Sequence, residues 1–337
     1  MIYQDICKLM PNPIASAFIF TYNQEHLIDK TIEGMLNQKC DFAYEIIICD
    51  DYSKDSTVQK CLSYQEKHPD LIRVVQNGKN LGARTNFFTN ILTFSRGKYI
   101  AICAGDDWWV DPQKLQKQVH YLQSQPEYGL VHTHASVYVD KDKKYSNRIL
   151  GSDNNTFREN LFNNHVAALT MCFSMKSFRE YVDEVDPINL PYSEDYPLVL
   201  WYSYRSKIGF IPEVTCVYRL LTHSLSHSTN IEKIYKGPLD FFNCGMHFIK
   251  LFKIDDDELI NRMFLRLYIG RMRYAHLLND QSNISKGESL FRSNKYYSFL
   301  IISKLYNIAG ENKLANSIVF YLERVIRKFH PARQLFL

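Results

Sequence analysis

In the first two-thirds of the chain, short apolar runs alternate with longer stretches of helical spacing. Ile14-Ala15-Ser16-Ala17-Phe18-Ile19-Phe20 reads as a buried strand and Thr21-Tyr22-Asn23 as a turn. Leu27, Ile28, Ile32, Met35 and Leu36 then mark the inner face of a helix over about Gln24 to Gln38. The same grammar predicts strands at Glu45–Cys49, Ile72–Gln76, Lys98–Cys103, Val131–Val139 and Ile208–Tyr218. Helices are predicted from Thr57 to Lys67, from Asn80 through Phe94, and after Asp111-Pro112, an N-cap followed by Pro at the first helical position. The stretch from Asn160 to Ser174 mixes a short helix and a strand, and Ser193 is read as the cap of a helix starting at Glu194, with Pro197 tolerated in its first turn. Strands separated by helices mean βαβ units and a largely parallel sheet.

Beyond about residue 230 the pattern becomes helical to the end. Leu259, Met263 and Leu267 mark one segment, Ile302, Leu305 and Ile308 another, and Ile318, Leu322 and Ile326 a last one. We place a domain boundary near 228–232, giving an α/β domain over 1–230 (halves of about 14–110 and 111–230) and a helical region over 231–337. There is no internal repeat and no low-complexity segment.

Composition narrows the class. With 337 residues, 46% apolar and 23% charged, the chain can bury a large core. A formal charge of +4 is too small to argue for nucleic acid. No apolar run reaches the roughly 18 residues a bilayer span needs. The amino-terminal segment lacks the basic start and apolar stretch of a signal peptide. None of the eight cysteines has a close partner in sequence. Reduced thiols in a cytoplasmic protein are therefore expected.

The candidate chemistry lies at strand ends. Asp50-Asp51 closes one apolar run and Gly105-Asp106-Asp107-Trp108-Trp109 follows another. In an open α/β sheet, ligands bind just beyond the carboxyl ends of the strands. Two unit charges 4 Å apart repel by about 4 kcal/mol at an effective dielectric of 20. Doing this twice points to a cation, ribose hydroxyls or a base N–H. Hard carboxylate oxygens suit Mg²⁺ or Mn²⁺ together with substrate phosphates, and the tryptophans are expected to wall the site.

Other residues there carry two readings. Thr21-Tyr22-Asn23-Gln24-Glu25 is a plain turn, or a platform where Tyr22 stacks on a base. One acid of Asp50-Asp51 suffices for helix capping, leaving the other free for a ligand. Asn80-Leu81-Gly82-Ala83-Arg84 opens a helix whose N-terminus and Arg84 either face a phosphate or sit in solvent. Ser193-Glu194-Asp195 supplies either a cap or a general base. His223 and His227 are each either structural or a third metal ligand. No GxxxxGK[ST], HExxH or GxSxG pattern is present, which weighs against ATPase, zinc-protease and esterase chemistry.

Together these residues resemble the inverting glycosyltransferases of family 2, which have the GT-A fold. The matching pieces run in order from Phe20-Thr21-Tyr22-Asn23-Gln24-Glu25, through Glu45 to Thr57, Asn80-Leu81-Gly82 with Asn86, and Gly97 to Trp109, to Glu194-Asp195. They span about 14–228. The resemblance implies a GT-A, mostly parallel Rossmann-like sheet flanked by helices, with a C-terminal helical region. It implies a nucleotide-sugar donor, usually a UDP-sugar, held by Thr21, Tyr22, Glu25, Asp51, Arg84 and Asp106. It also implies a divalent Mn²⁺ or Mg²⁺ on Asp107 (with His227 as a further ligand), and Asp195 as the base that deprotonates an acceptor hydroxyl. The acceptor is expected to be a saccharide or lipid-linked saccharide of a surface polysaccharide.

Two departures bear on the chemistry. Leu221 stands where the family often has a metal-binding His, and the Gln/Arg-x-x-Arg-Trp element of processive synthases is absent after Asp195, which implies single additions. The competing readings are a nucleotidyltransferase, which normally needs a Gly-rich basic loop after the first strand, and an inactive nucleotide-binding scaffold. The helical region either lies on an anionic membrane surface, at the inner face of the cell membrane, or packs on the catalytic domain or a second copy of the chain.

Overall fold

The structure is a computed structural model that describes residues 8–221, 230–294, 296–310 and 312–329. The chain divides into two compact units, residues 1–160 with 164–222, and residues 161–163 with 223–337.

The first unit is α/β. Its leading half runs β1 (Ala15–Thr21), α1 (Ile28–Leu36), β2 (Tyr44–Asp50), α2 (Thr57–Lys67), β3 (Ile72–Gln76), α3 (Ala83–Phe94) and β4 (Tyr99–Ala104). These strands pair in parallel in the order β3-β2-β1-β4. Ala17, Ile19, Ile46, Ile48 and Ala101 are fully buried, as expected for parallel strands covered on both faces. The order reverses between β1 and β4, so the crevice at their carboxyl ends is the topological switch point where such sheets bind ligands.

The later half continues through β5 (Trp108–Trp109), α4 (Lys114–Ser124), β6 (Tyr128–Val139), β7 (Lys144–Leu150), α5 (Phe157–Asn160), β8 (Cys172–Ser174), α6 (Met175–Val185), α7 (Asp195–Arg205) and β9 (Lys207–Leu220). β8 joins the sheet antiparallel to β4 and to β6, β9 runs parallel to β6, and β5 and β7 add antiparallel edges. Neither β5 nor β7 was visible in the apolar pattern. β5 has two residues, and β7 is polar and mostly exposed.

Four helix starts differ from the sequence reading: α1 begins at Ile28 rather than about Gln24, and α3 at Ala83 rather than Asn80. α4 begins at Lys114 rather than at Pro112, because Asp111 forms the turn ahead of it: its Oδ1 accepts the Gln113 N–H at 2.8 Å and its Oδ2 takes the Lys117 ammonium. α7 begins at Asp195, with Glu194 in the cap position, no side-chain cap, and Ser193 exposed.

The second unit comprises α8 (Ile231–Leu251), α9 (Asp257–Leu277), α10 (Gln281–Ser293), α11 (Tyr297–Ala309) and α12 (Lys313–Phe329). Its core gathers Ile269 and Met272 of α9, Phe291 of α10, Phe299, Ile302 and Tyr306 of α11, and Val319 of α12. Leu259, Met263 and Leu267 are buried as their spacing implies, but Ile308, Ile318 and Leu322 are exposed.

Candidate active site

The turn after β1 and the turn after β2 are laced together. The Asn23 N–H donates to Ser53 Oγ at 2.8 Å and Asn23 Oδ1 accepts the Lys54 N–H at 2.8 Å. The Gln24 N–H donates to Thr57 Oγ1, the Glu25 N–H to Asp55, and Glu25 Oε2 accepts the Ser56 N–H. Glu25, predicted to bind donor, therefore has one carboxylate oxygen engaged in joining the two turns. Thr21 is buried, with its hydroxyl on Gln24 Oε1 at 2.7 Å. Tyr22 stays 45% exposed at the strand end. Tyr52, at φ 69°, presents its ring to the Lys54 ammonium 3.4 Å from the centroid.

The acids of β2 share out local work. Asp50 accepts from the backbone N–H and hydroxyl of Ser53 and from Gln76 Nε2. Asp51 was expected to be free for a ligand, but it is buried and already accepts three hydrogen bonds. Its Oδ1 takes Asn77 Nδ2 and the Leu81 N–H, and its Oδ2 takes the Gly82 N–H, all at 2.8 Å. Gly82 sits at φ 81°, ψ 154°, where a side chain is strained. Asp51 thus holds the loop that leads into α3. A carboxylate has about four acceptor positions, so one remains open. At the start of α2 it is Asp55, one residue before the cap position, that accepts from the Thr57 N–H and hydroxyl.

The second acidic pair lies past β4. Gly105 donates its N–H to Phe20 O at 2.9 Å, and a Cβ there would fall 2.9 Å from Thr21 Cβ and Oγ1, so only glycine lets this loop rest on the β1 turn. Thr31 Oγ1 donates to the carbonyls of Gly105 and Asp107 and fixes the loop from α1. Asp107 is 5% exposed, and its Oδ1 accepts the Arg219 N–H at 2.7 Å. Burial, then the neighbouring Asp106 charge, pushes the Asp107 carboxyl well above the usual range, and burial also raises Asp106. Arg219 donates Nε to Asp106 O at 2.8 Å and Nη1 to Asp140 at 2.9 Å.

The tryptophans do not line this pocket. Both are buried: Trp109 enters the main core, and Trp108 lies behind Arg219, whose guanidinium sits 4.7 Å from its ring centroid. Arg219, Asp140 and Gln24 hold the acidic pair; Gln24 lies in the β1 turn the sequence marked, whereas Asp140 was not singled out. Arg219 and Asp106 lie more than a hundred positions apart and meet only through the β5–β9 pairing.

The pair suits a divalent cation. Asp107 Oδ2 has no donor among the described residues, and a buried acid and the half-buried one beside it, which resist ionising together, are relieved by a cation. Among the described residues, no three potential ligands converge. His223 and His227 lie outside the described residues.

Glu194 and Asp195 open α7. Asp195 Oδ1 accepts the Tyr196 N–H at 2.8 Å. Burial, then the Asp195 charge, pushes the Glu194 carboxyl up to about 7, and Arg84 opposes that shift. Arg84, predicted to meet a phosphate, instead donates Nε to Ile188 O at 3.1 Å and Nη1 to Tyr192 O at 2.8 Å. It ties the segment entering α7 to the first turn of α3, just past the loop that Asp51 anchors. The residue pattern held no signal for this, because carbonyl partners leave none.

A profile for glycosyl transferase family 2 matches residues 16–185, just over half of the chain. An uncharacterized protein of Mycobacterium tuberculosis is 32% identical over 220 residues, covering 63% of this chain and 60% of that protein. The chain therefore spans less than two-thirds of the length of these mycobacterial relatives. An Escherichia coli protein named UDP-Glc:alpha-D-GlcNAc-diphosphoundecaprenol beta-1,3-glucosyltransferase WfgD is 24% identical over 65% of this chain and 80% of its own. Among solved structures, the Pyrobaculum calidifontis mannosyltransferase PcManGT with GDP-Man and Mn²⁺ superposes with a TM-score of 0.54 at 14% identity, covering 96% of this chain and 90% of that one. Staphylococcus aureus TarS 1–349 with UDP-GlcNAc gives 0.53 at 13% identity, covering 93% and 91%. These likenesses establish the GT-A fold, and with the profile match the chain belongs to glycosyl transferase family 2.

Proposed function

We propose that the chain transfers a glycosyl residue from a UDP-sugar to a hydroxyl of a saccharide or lipid-linked acceptor, with inversion at the anomeric carbon. The carrying observation is the strand order β2-β1-β4, which sets Asp51 and the Asp106-Asp107 pair on either side of the exposed Tyr22. β2 and β4 are two strand spacings apart, about 10 Å, a separation suited to a ligand with a base at one end and a diphosphate at the other. The donor named for the E. coli relative and the UDP-GlcNAc bound to TarS favour UDP.

In this reading Tyr22 stacks on the base, and the open acceptor position of Asp51 takes a base N–H. Asp106 receives a ribose hydroxyl. Asp107, with Asp106 beside it, would hold Mn²⁺ or Mg²⁺, which supplies Lewis-acid neutralisation of the diphosphate. Asp195 takes the proton of the acceptor hydroxyl while that oxygen bonds to the anomeric carbon. The bond to the leaving phosphate oxygen breaks on the opposite face, and the electron pair departs with the nucleoside diphosphate. A positioned base of this kind contributes typically 10²–10⁴-fold. Glu194, protonated up to about pH 7, keeps the α7 pair from carrying two negative charges.

Titration calorimetry with UDP, and GDP as control, tests the donor site with and without Mn²⁺ on wild type and Asp107→Ala. UDP binding that requires both the metal and Asp107 is expected. Metal-independent binding, or none of either nucleotide, removes the assignment.

A further inference from the structure

The strongest unexplained feature outside this site is the outer face of α11 and α12. On α11, Tyr297, Ile301, Lys304 and Ile308 follow one another at intervals of four, three and four residues, so they form one stripe. All four are exposed, Ile308 by 80%. On α12, Ile318, Tyr321, Leu322 and Val325 share one face by the same spacing, and all are exposed, Tyr321 by 69%. The opposite side of α12 carries Val319 and Glu323, both buried, with Glu323 accepting from the Tyr306 hydroxyl of α11. The helix is thus apolar on two sides, only one of which its own unit covers. Helices in water do not normally keep an outer apolar face without something to cover it.

Charge decides what covers it. From Tyr297 onward the sequence has six cations (Lys304, Lys313, Arg324, Arg327, Lys328 and Arg333) against two acids, Glu311 and Glu323. Glu323 is buried on Tyr306, and after it no acid follows. Lys304 lies within the α11 stripe and the exposed Arg324 flanks the α12 face. A second copy of this chain would set Lys304 and Arg324 near their own counterparts, a like-charge arrangement. An anionic lipid surface matches both the apolar stripe and the cations around it. Among the described residues no helix is long and apolar enough to cross a membrane, so such a face would lie on the surface rather than span it.

We infer that the outer face of α12, with Arg324 at its edge, forms a docking surface for an anionic membrane. This goes beyond the transfer reaction and draws on none of its residues.

The test is flotation of the full chain with vesicles. Vesicles of phosphatidylcholine with about a third phosphatidylglycerol are compared with pure phosphatidylcholine, at low and at high salt. Binding is expected only with the anionic lipid and is expected to weaken with salt, each cation contributing about fivefold to partitioning. Arg324→Gln should lower partitioning about fivefold. The double variant Tyr321→Ser/Leu322→Ser should lower it at least tenfold, since both side chains leave the acyl boundary. Both variants change exposed positions and should keep the wild-type helical circular dichroism and UDP binding. Failure of the wild type to float with anionic vesicles overturns the inference, as does equal flotation of wild type and the double variant. A wild-type dimer in light scattering that the double variant dissolves, without flotation of either, assigns the face to a second copy and overturns it too. UDP binding, read on the same samples, reports the donor site separately, so each assignment can fail alone.

Discussion

Asp51 is the residue whose replacement the structure prices most directly. Asp51→Asn keeps the shape of the side chain and leaves one acceptor oxygen. With that oxygen at the Oδ1 position, the bonds from Asn77 and the Leu81 N–H persist as neutral contacts, while the new NH₂ faces the Gly82 N–H, donor against donor. Hydrogen bonds to a charged group contribute about 1.5–3 kcal/mol and neutral ones about 0.5–1.5. Losing one charged bond and weakening two gives about 3.5–6 kcal/mol. Leu81 is half-buried and Gly82 exposed, so water recovers part of this, and about 2–3 kcal/mol is the working figure. For a unit of 150–250 residues, about 2–4 °C per kcal/mol converts it to a fall in Tm of roughly 4–12 °C. Tryptophan fluorescence is the right assay, because Trp108, Trp109 and Trp201 are all buried in the first unit and report on it alone. UDP affinity should also fall, by roughly ten- to a hundredfold, if the open acceptor position takes a base N–H. A Tm within about 2 °C of wild type would refute the claim that this carboxylate holds the loop before α3.

Three further outcomes follow from the α7 end of the site. Arg84→Met releases the carbonyls of Ile188 and Tyr192 and should lower kcat at least tenfold while leaving the UDP dissociation constant within about twofold, whereas a phosphate-binding Arg84 would show its main loss in UDP affinity. Asp195→Asn should lower transfer about 10²–10⁴-fold with UDP binding and Tm retained, and full transfer activity would remove it as the base. Glu194 binds its proton more tightly folded than unfolded, so its contribution to stability is complete below the ordinary glutamate range and is lost as pH rises through about 7. Ionising it also adds a negative charge beside the place where the acceptor hydroxyl loses its proton, which favours that loss. Activity should therefore rise through pH 7 in wild type and flatten in Glu194→Gln, and an unchanged limb in the variant would refute the coupling.

How far the residue pattern reached follows from how local each feature is. Ile46-Ile47-Ile48 and Ile100-Ala101-Ile102 read as strands because burial on both faces leaves an unbroken apolar run. The acids after those runs stood out because a strand end is a place the pattern marks. What those acids bond to could not be read. The Asp51 partners are about thirty positions away, and Arg84 meets carbonyls more than a hundred positions on. A carboxylate that looks free in sequence is therefore already engaged once the loops close, and an Arg that looks placed for a phosphate donates to backbone carbonyls of a distant segment. The same limit explains the tryptophans. Next to paired acids they looked like pocket walls, but a two-residue strand pairing with β9 turns one ring into the core and puts the other beneath Arg219. On α11 and α12 the limit is sharper still. A period of 3.6 shows that apolar residues share a face, yet Ile302 and Ile308 belong to one apparent series and the fold buries the first and exposes the second. Which stripe a neighbour covers depends on the packing of the whole helical unit, and only that packing separates core from surface here.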